Sequence, residues 1–309
     1  MNRSIRLSFG IVLFLLFLLP FFGTSHPLKR SRLSAKAEWV ILRDQGITET
    51  IFTSGINPFY QDSRQIALQL QHEFTLVQKK FDAIYFYGAG CINHEKEEII
   101  KEALLQVFEA PYFFVGSDLL AAAHSLCQDH PGIACILGTG SNSCYYNGSE
   151  IIDHVSPLGF ILGDEGSGAV LGKKLISDIL KNQLPQWLIR EFFENYQTSL
   201  AEIMENVYKQ PYPSRYLAGY TQFLSKYIKV PEIENIVIAG FQDFVTRNLM
   251  QYAQVHYTPI YFTGSIAFHF QPQLTKVVKE QNLLPGKIEQ APMSGLIAYH
   301  QKKIKSQNF

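Results

Sequence analysis

The sequence has no excess charge of either sign: 27 Lys and Arg balance 27 Asp and Glu across 309 residues. A chain that follows a phosphate backbone needs a basic face, so nucleic acid is not expected as a partner. Cysteine is scarce. Cys91, Cys127, Cys135 and Cys144 stand 36, 8 and 9 residues apart, spacings that fit no metal knuckle. Each lies in or beside an apolar stretch, the ordinary setting of a buried reduced thiol, which favours a reducing compartment. There is no Gly-x-Ser-x-Gly elbow and no Walker-type lysine, which removes support for α/β-hydrolase and P-loop readings. His94, His124, His154, His256, His269 and His300 show no mutual spacing that would form a metal site. Repeats and low-complexity tracts are absent. What is present is core material: 47% of the residues are apolar and only 17% are charged, which excludes disorder and leaves one large domain or two ordinary ones.

The first 36 residues stand apart. Arg3 and Arg6 precede an apolar run from Phe9 to Phe22, closed by Gly23-Thr24-Ser25, the layout of a secretory signal. The run is short for a membrane-spanning helix of about 20 residues, yet Lys29-Arg30-Ser31-Arg32 behind it would suit an anchor held on the cytoplasmic side. A mis-called start, or a reading-frame error upstream of about Ala35, is the third reading.

From residue 38 onward, strand-like and helix-like stretches alternate. Residues 38–43 and 49–54 read as a hairpin across Asp44-Gln45-Gly46. Helical spacing covers 62–79 and 95–108, and strands are expected at 83–87, 112–115 and 132–137, with a helix over 119–127 between the last two. Tyr145-Tyr146-Asn147-Gly148 reads as a strand entering a turn. After Gly163 a glycine-rich turn opens a helix to about Lys181. Helices are then expected at 185–196, 200–209, 216–228, 233–252, 266–280 and 294–303, with one strand at 260–263. The alternation makes the chain α/β with a mixed sheet in each half. The boundary is expected near Gly116, giving domains 37–116 and 117–309, with the last helix packing back on the first domain.

Several short stretches carry candidate chemistry. In Leu137-Gly138-Thr139-Gly140-Ser141-Asn142-Ser143 an apolar strand delivers a tight turn whose bare amides and hydroxyls can surround an anion; a plain hairpin turn would look much the same. Gly163-Asp164-Glu165-Gly166-Ser167-Gly168 places two acids at the start of a helix, where capping alone would explain one of them. Two suit a polyol or a nucleotide's metal. Asp118 ends a strand and opens a helix, as an N-cap would, but an acid at the carboxyl end of a parallel strand is also where α/β proteins place catalytic groups. Asn57, in Thr53-Ser54-Gly55-Ile56-Asn57-Pro58, is either a turn residue or a ligand amide. Gly264-Ser265 marks either a close helix–sheet contact or room for a flat base.

Taken in order, these stretches, together with Asp118-Leu119-Leu120-Ala121-Ala122-Ala123, Pro157-Leu158-Gly159-Phe160-Ile161-Leu162, Phe262-Thr263-Gly264-Ser265-Ile266-Ala267 and Pro292-Met293-Ser294-Gly295-Leu296-Ile297-Ala298-Tyr299-His300, resemble the N-acetylglucosamine kinases and the broader BadF/BadG/BcrA/BcrD-type ATPases. That resemblance runs from about Ala37 to the C-terminus. It implies two actin-like (ribonuclease H-like) domains that bind ATP with Mg²⁺ and phosphorylate the 6-hydroxyl of an amino sugar. Asp118 would be the base. Thr139, Gly140 and Ser141 would form the second phosphate loop, and Gly264 and Ser265 would line the adenosine site. Asn57, Gly88, Asn142, Asp164 and Glu165 would contact the sugar. A cytoplasmic location follows from the use of ATP, membrane contact arises only if the leader is real, and a homodimer is within the expectation. One departure matters: the family carries a first phosphate loop of the form Asp-Ser-Gly-Ser-Thr-Lys where this chain has Ser31-Arg32-Leu33-Ser34-Ala35-Lys36. The metal-organising acid expected there is missing, so turnover by this chain is expected to be impaired. The alternatives are a non-catalytic sugar-binding or regulatory protein, and an ATPase that activates a dehydratase.

Overall fold

The computed structural model describes residues 11–17, 36–43, 46–76 and 79–307. Two compact units emerge. One holds residues 11–17, the described residues up to Ala121, and the C-terminal helix Met293–Gln307; the other holds Ala122–Pro292.

The first unit is built on a five-stranded sheet: β1 (Ile11–Phe17), β2 (Lys36–Arg43), β3 (Gly46–Ser54), β4 (Ala83–Gly88) and β5 (Phe113–Ser117), in the order β3-β2-β1-β4-β5. Strand β1 runs antiparallel to β2 and parallel to β4. Residues 11–17 of the leader thus stand as the central strand of this sheet. A central strand is covered on both faces and therefore carries a near-continuous apolar run, which in sequence looks the same as a signal core. The rest of the leader, including Ser31-Arg32-Leu33-Ser34-Ala35, lies outside the described residues, as do Asp44 and Gln45.

Period-two alternation then sorts the side chains of this sheet. Trp39 and Ile41 of β2, with Ile84 and Phe86 of β4, face the helices Ser63–Glu73 and His94–Val107. Val40, Leu42 and Tyr87 face the other way, against Met293 and Leu296 of the C-terminal helix. Trp39 is fully buried, ringed by Phe74 and Phe108, and its indole N–H donates to Thr53 Oγ1 at 3.0 Å. Burying a side chain of this kind contributes about 2–3 kcal/mol. Both helices begin on caps. Asp62 forms a capping box with Gln65, and Asn93 accepts the amide of Lys96 at 3.0 Å.

The second unit repeats the plan with β6 (Gly132–Leu137), β7 (Ser141–Tyr146), β8 (Ile151–Val155), β9 (Ile260–Thr263) and β10 (Pro285–Glu289), in the order β10-β9-β6-β7-β8. The β6–β7 and β7–β8 pairs are antiparallel, whereas β6–β9 and β9–β10 are parallel. Read from the antiparallel edge, both sheets have the same order and the same directions. Strand β1 is thus the counterpart of β6. The first pair closes at Phe17 opposite Lys36, with 18 residues between them; the second closes at Leu137 opposite Ser141, with three.

Some expected elements differ. The helix expected over 216–228 is two, Pro213–Ala218 and Thr221–Lys226, separated at Gly219. The one expected over 266–280 is also two, Ser265–His269 and Gln271–Glu280, with Pro272 in the first turn of the second. Strand β10 and the short helix Gly159–Leu162 escape the sequence pattern. All four cysteines are free and buried.

Candidate active site

Strand direction explains where the selected residues fall. In the first unit β1, β3, β4 and β5 point the same way, so their carboxyl ends share one edge. Asn57 follows β3, Gly88 ends β4, and Asp118 follows β5; Gly88 lies opposite Ser117 in the register. In the second unit β6, β8 and β9 point alike, and their ends lead to Gly138-Thr139-Gly140, to the turn at Gly163 and to Gly264-Ser265. Each unit therefore gathers its candidates at one edge of its own sheet, where open α/β sheets place ligands.

On the first edge, the capping reading of Asp118 does not hold. The hydroxyl of Ser117 caps the helix Asp118–Cys127 by accepting the Leu120 amide at 3.1 Å. Asp118 is the first residue inside the helix, and its carboxylate receives the amide of Leu119 and its own. Burial outweighs those bonds and holds the carboxyl above the ordinary aspartate range. The negative charge of Asp118 also helps burial push the Cys91 thiol up to about 12, which keeps that thiol inert. Asn57 is half turn residue and half candidate. Its Oδ1 accepts the Phe59 amide at 2.9 Å, closing an Asx turn, while its Nδ2 has no partner among the described residues. A Cβ on Gly90, whose φ is +91°, would lie 2.8 Å from that Oδ1, so the Asn57 loop seats on the turn after Gly88.

On the second edge the contacts are denser. The amides of Gly168 and Ala169, which open the helix Gly168–Leu180, donate to the carbonyls of Gly138 and Thr139 at 2.8 and 3.0 Å. The turn is thereby fixed to the helix, while the Thr139 hydroxyl has no partner among the described residues. Ser141 donates its amide to Asp164 Oδ1 at 3.1 Å. A Cβ on Gly140 would stand 3.1 Å from the same carboxylate. Asp164 is held above its ordinary value, at about 6, first by burial and then by Glu165; the Ser141 amide and Lys173 oppose this. Gly264, with φ +112°, presses so close to the Leu137 carbonyl that a Cβ would lie 2.4 Å from that oxygen. The hydroxyls of Thr263 and Ser265 on either side of it are buried and have no partner among the described residues.

Two expected sugar ligands have other attachments. Asn142 lies on the opposite face of β7 from Ser141, and its Oδ1 is held by the Ser143 amide at 3.0 Å and by His154 Nε2 at 2.9 Å. Glu165 pairs with Arg247 Nε at 2.9 Å and accepts from Asn248 Nδ2 at 3.2 Å. Sequence reasoning missed Ser117, His154, Arg247 and Asn248. Ser117 alone had a signal, a serine three residues before the Leu120 amide it caps.

No protein-family model matches the chain, nor does any curated protein sequence. Among solved structures, the "putative N-acetylglucosamine kinase" of Porphyromonas gingivalis shares 43% identity, over 86% of this chain and 95% of that one, with a TM-score of 0.83. The chain belongs to the N-acetylglucosamine kinase family. A second structure of that name, from Chromobacterium violaceum, shares 15% identity over 93% of this chain and 98% of that one, with a TM-score of 0.62, and shows the common fold. This family member is thus a carbohydrate kinase by descent. Its two units, with their repeated sheet order, are the two domains of the actin-like ATPase fold. No helix among the described residues of this kinase is long and apolar enough to cross a membrane.

Proposed function

We propose that this chain is an amino-sugar kinase whose substrate is N-acetylglucosamine or a close relative, phosphorylated on the 6-hydroxyl by ATP. The observation that carries the reading is Asp118. Ser117 does the capping, and Asp118 is left as a half-buried, proton-attracting carboxylate at the carboxyl edge of a parallel sheet. A base of this kind takes the proton of an attacking hydroxyl as phosphoryl transfer proceeds. On the other unit, the bare turn Gly138-Thr139-Gly140 suits a phosphate, since even a Cβ on Gly138 would meet nothing within 4 Å. The orphan hydroxyls of Thr263 and Ser265 support a nucleoside near Gly264, because a buried hydroxyl without a partner costs about 1–3 kcal/mol. Asp164 would accept a sugar hydroxyl. ATP supplies the phosphoryl group; this chain's residues hold its oxygens, orient the sugar and remove one proton. Mg²⁺ would be held chiefly by the nucleotide's own phosphates, the usual arrangement where a kinase offers it only one or two carboxylates.

One observation favours a second reading, sugar binding without phosphoryl transfer: Ser31-Arg32-Leu33-Ser34-Ala35-Lys36 lacks the acid and glycine of a first phosphate loop. A coupled ATP-to-ADP assay with N-acetylglucosamine separates the two. It is run on the chain as it stands and on a variant in which these six residues become Asp-Ser-Gly-Ser-Thr-Lys. Turnover in the variant, with little in the parent, is expected. Sugar binding by both without turnover by either would favour the second reading.

A further inference from the structure

Of the two adjacent acids that open the helix Gly168–Leu180, Glu165 is half-buried and paired with Arg247 and Asn248, while Asp164 is turned toward the phosphate-loop amide of Ser141. We infer that Glu165, gripped by Arg247 and Asn248, is a positioning residue that fixes Asp164 for the sugar and is not itself a sugar ligand. The inference rests on the amino-sugar reading of Asp164 given above.

Three observations carry it. First, both oxygens of Glu165 are engaged: Oε1 by Arg247 Nε at 2.9 Å and Oε2 by Asn248 Nδ2 at 3.2 Å, with the Glu165 side chain only 14% exposed. Second, Asn248 is itself buried, at 4% exposure, where the helix Pro231–Arg247 ends, so the grip on Oε2 comes from a fixed point. Third, the turn sits flush on that helix. Gly166 has φ +70°, and a Cβ there would lie 3.0 Å from Phe244 Cβ and 3.4 Å from the Gly240 carbonyl. Between these anchors Asp164 holds φ +54°, a left-handed conformation that aspartate adopts more readily than most residues. Its own amide donates to the Pro157 carbonyl at 2.8 Å and its carbonyl accepts from Ser167 at 3.1 Å. Removing the Arg247–Glu165 tie releases the outer side of this turn, and the Asp164 carboxylate loses its fixed direction without losing its charge.

The test is calorimetric titration of the full-length chain with N-acetylglucosamine and, separately, with ADP. Arg247→Leu and Glu165→Gln should each weaken the sugar by about tenfold or more, since small misplacements of a positioned group cost that much, and should leave ADP within about twofold. The double variant should be no weaker than either single, because both break one tie. Arg247→Lys keeps the charge but loses the Nε donor, should recover part of the affinity, and carries the test if Arg247→Leu does not fold. Asp164→Asn is measured alongside. Loss of sugar binding in Asp164→Asn, with parental affinity in Arg247→Leu and Glu165→Gln, overturns the clamp and leaves the sugar reading standing. Sugar binding unaffected by Asp164→Asn overturns the sugar reading of Asp164 and the clamp with it.

Discussion

Ser141 donates its backbone N–H to the Oδ1 of Asp164, 23 residues further along, at 3.1 Å. That bond ties the turn after β6 to the turn that opens the helix Gly168–Leu180, so the loop proposed to take phosphate and the acid proposed to take the sugar are joined directly. Gly140 makes the approach possible, since a Cβ would sit 3.1 Å from the Asp164 carboxylate. Gly140→Ala should therefore cost about 1 kcal/mol in stability, in the range of mild overpacking, and much more in function. Thermal unfolding should show a small drop, and titration with N-acetylglucosamine a loss of at least about tenfold.

The titration of Asp164 gives a prediction with a definite sign. Its folded pKa, about 6, lies above the ordinary 3.8. The folded protein thus binds the proton more tightly than the unfolded chain does between those values. The resulting stability is present at low pH and is lost as pH rises through about 6. Asp164→Asn removes that cost and should stabilise the ligand-free protein above pH 7 by roughly 1–2 kcal/mol, after discounting for the part of the side chain that solvent still reaches. The same substitution should abolish sugar binding. In the parent, sugar affinity should fall as pH drops below about 6, because the acceptor carboxylate becomes protonated. Melting temperatures and sugar titrations at pH 5, 6.5 and 8 check both halves.

Gly264 illustrates a constraint on backbone rather than on chemistry. Its φ of +112° is open to glycine alone, and an added Cβ would lie 2.4 Å from the Leu137 carbonyl oxygen. Gly264→Ala should destabilise by about 3 kcal/mol or more, visible as an early melt and as lost ADP binding even at temperatures where the protein remains folded. Parental stability in this variant would mean that β9 and the β6 turn can move apart cheaply.

These predictions mark how far the sequence was legible. The turns at Gly138-Thr139-Gly140 and Gly163-Asp164 announce themselves because glycine beside an acid or a hydroxyl is a local signal. For Asp118 the residues alone leave N-cap and catalytic acid side by side, and the bond from the Leu120 amide to Ser117 removes the first. Strand β1 offers no period to read, since a central strand and a signal core share the same continuous apolar run. Strand β10 opens Pro285-Gly286 and carries Lys287 and Glu289, which reads as loop. The grip of Arg247 on Glu165 spans 82 residues and leaves no local trace. The Asn142–His154 bond bridges two strands and is equally silent, so the sequence does not show that the Asn142 carbonyl oxygen is in use.

The sharpest functional prediction concerns Asp118. If it is the base, Asp118→Asn in the chain carrying the restored Asp-Ser-Gly-Ser-Thr-Lys loop should lower kcat by about 10²- to 10⁴-fold, the usual span for a removed general base. The affinity for N-acetylglucosamine should stay within about twofold, because the sugar contacts assigned to Asn57 and Asp164 remain. Burial raises the Asp118 carboxyl above its ordinary value, and a base works only when deprotonated, so kcat in the parent loop-restored chain should fall on the acid side at a pH above the ordinary aspartate value. That limb should vanish from the residual rate of Asp118→Asn, whereas the loss of sugar affinity below about pH 6 assigned to Asp164 should persist. An acid limb in kcat that Asp118→Asn removes, beside an acid limb in sugar affinity that it leaves in place, would separate the proton acceptor from the sugar acceptor. A kcat unchanged by Asp118→Asn would leave the carboxylate at the end of β5 as a structural acid and move the search for the base elsewhere along the same edge.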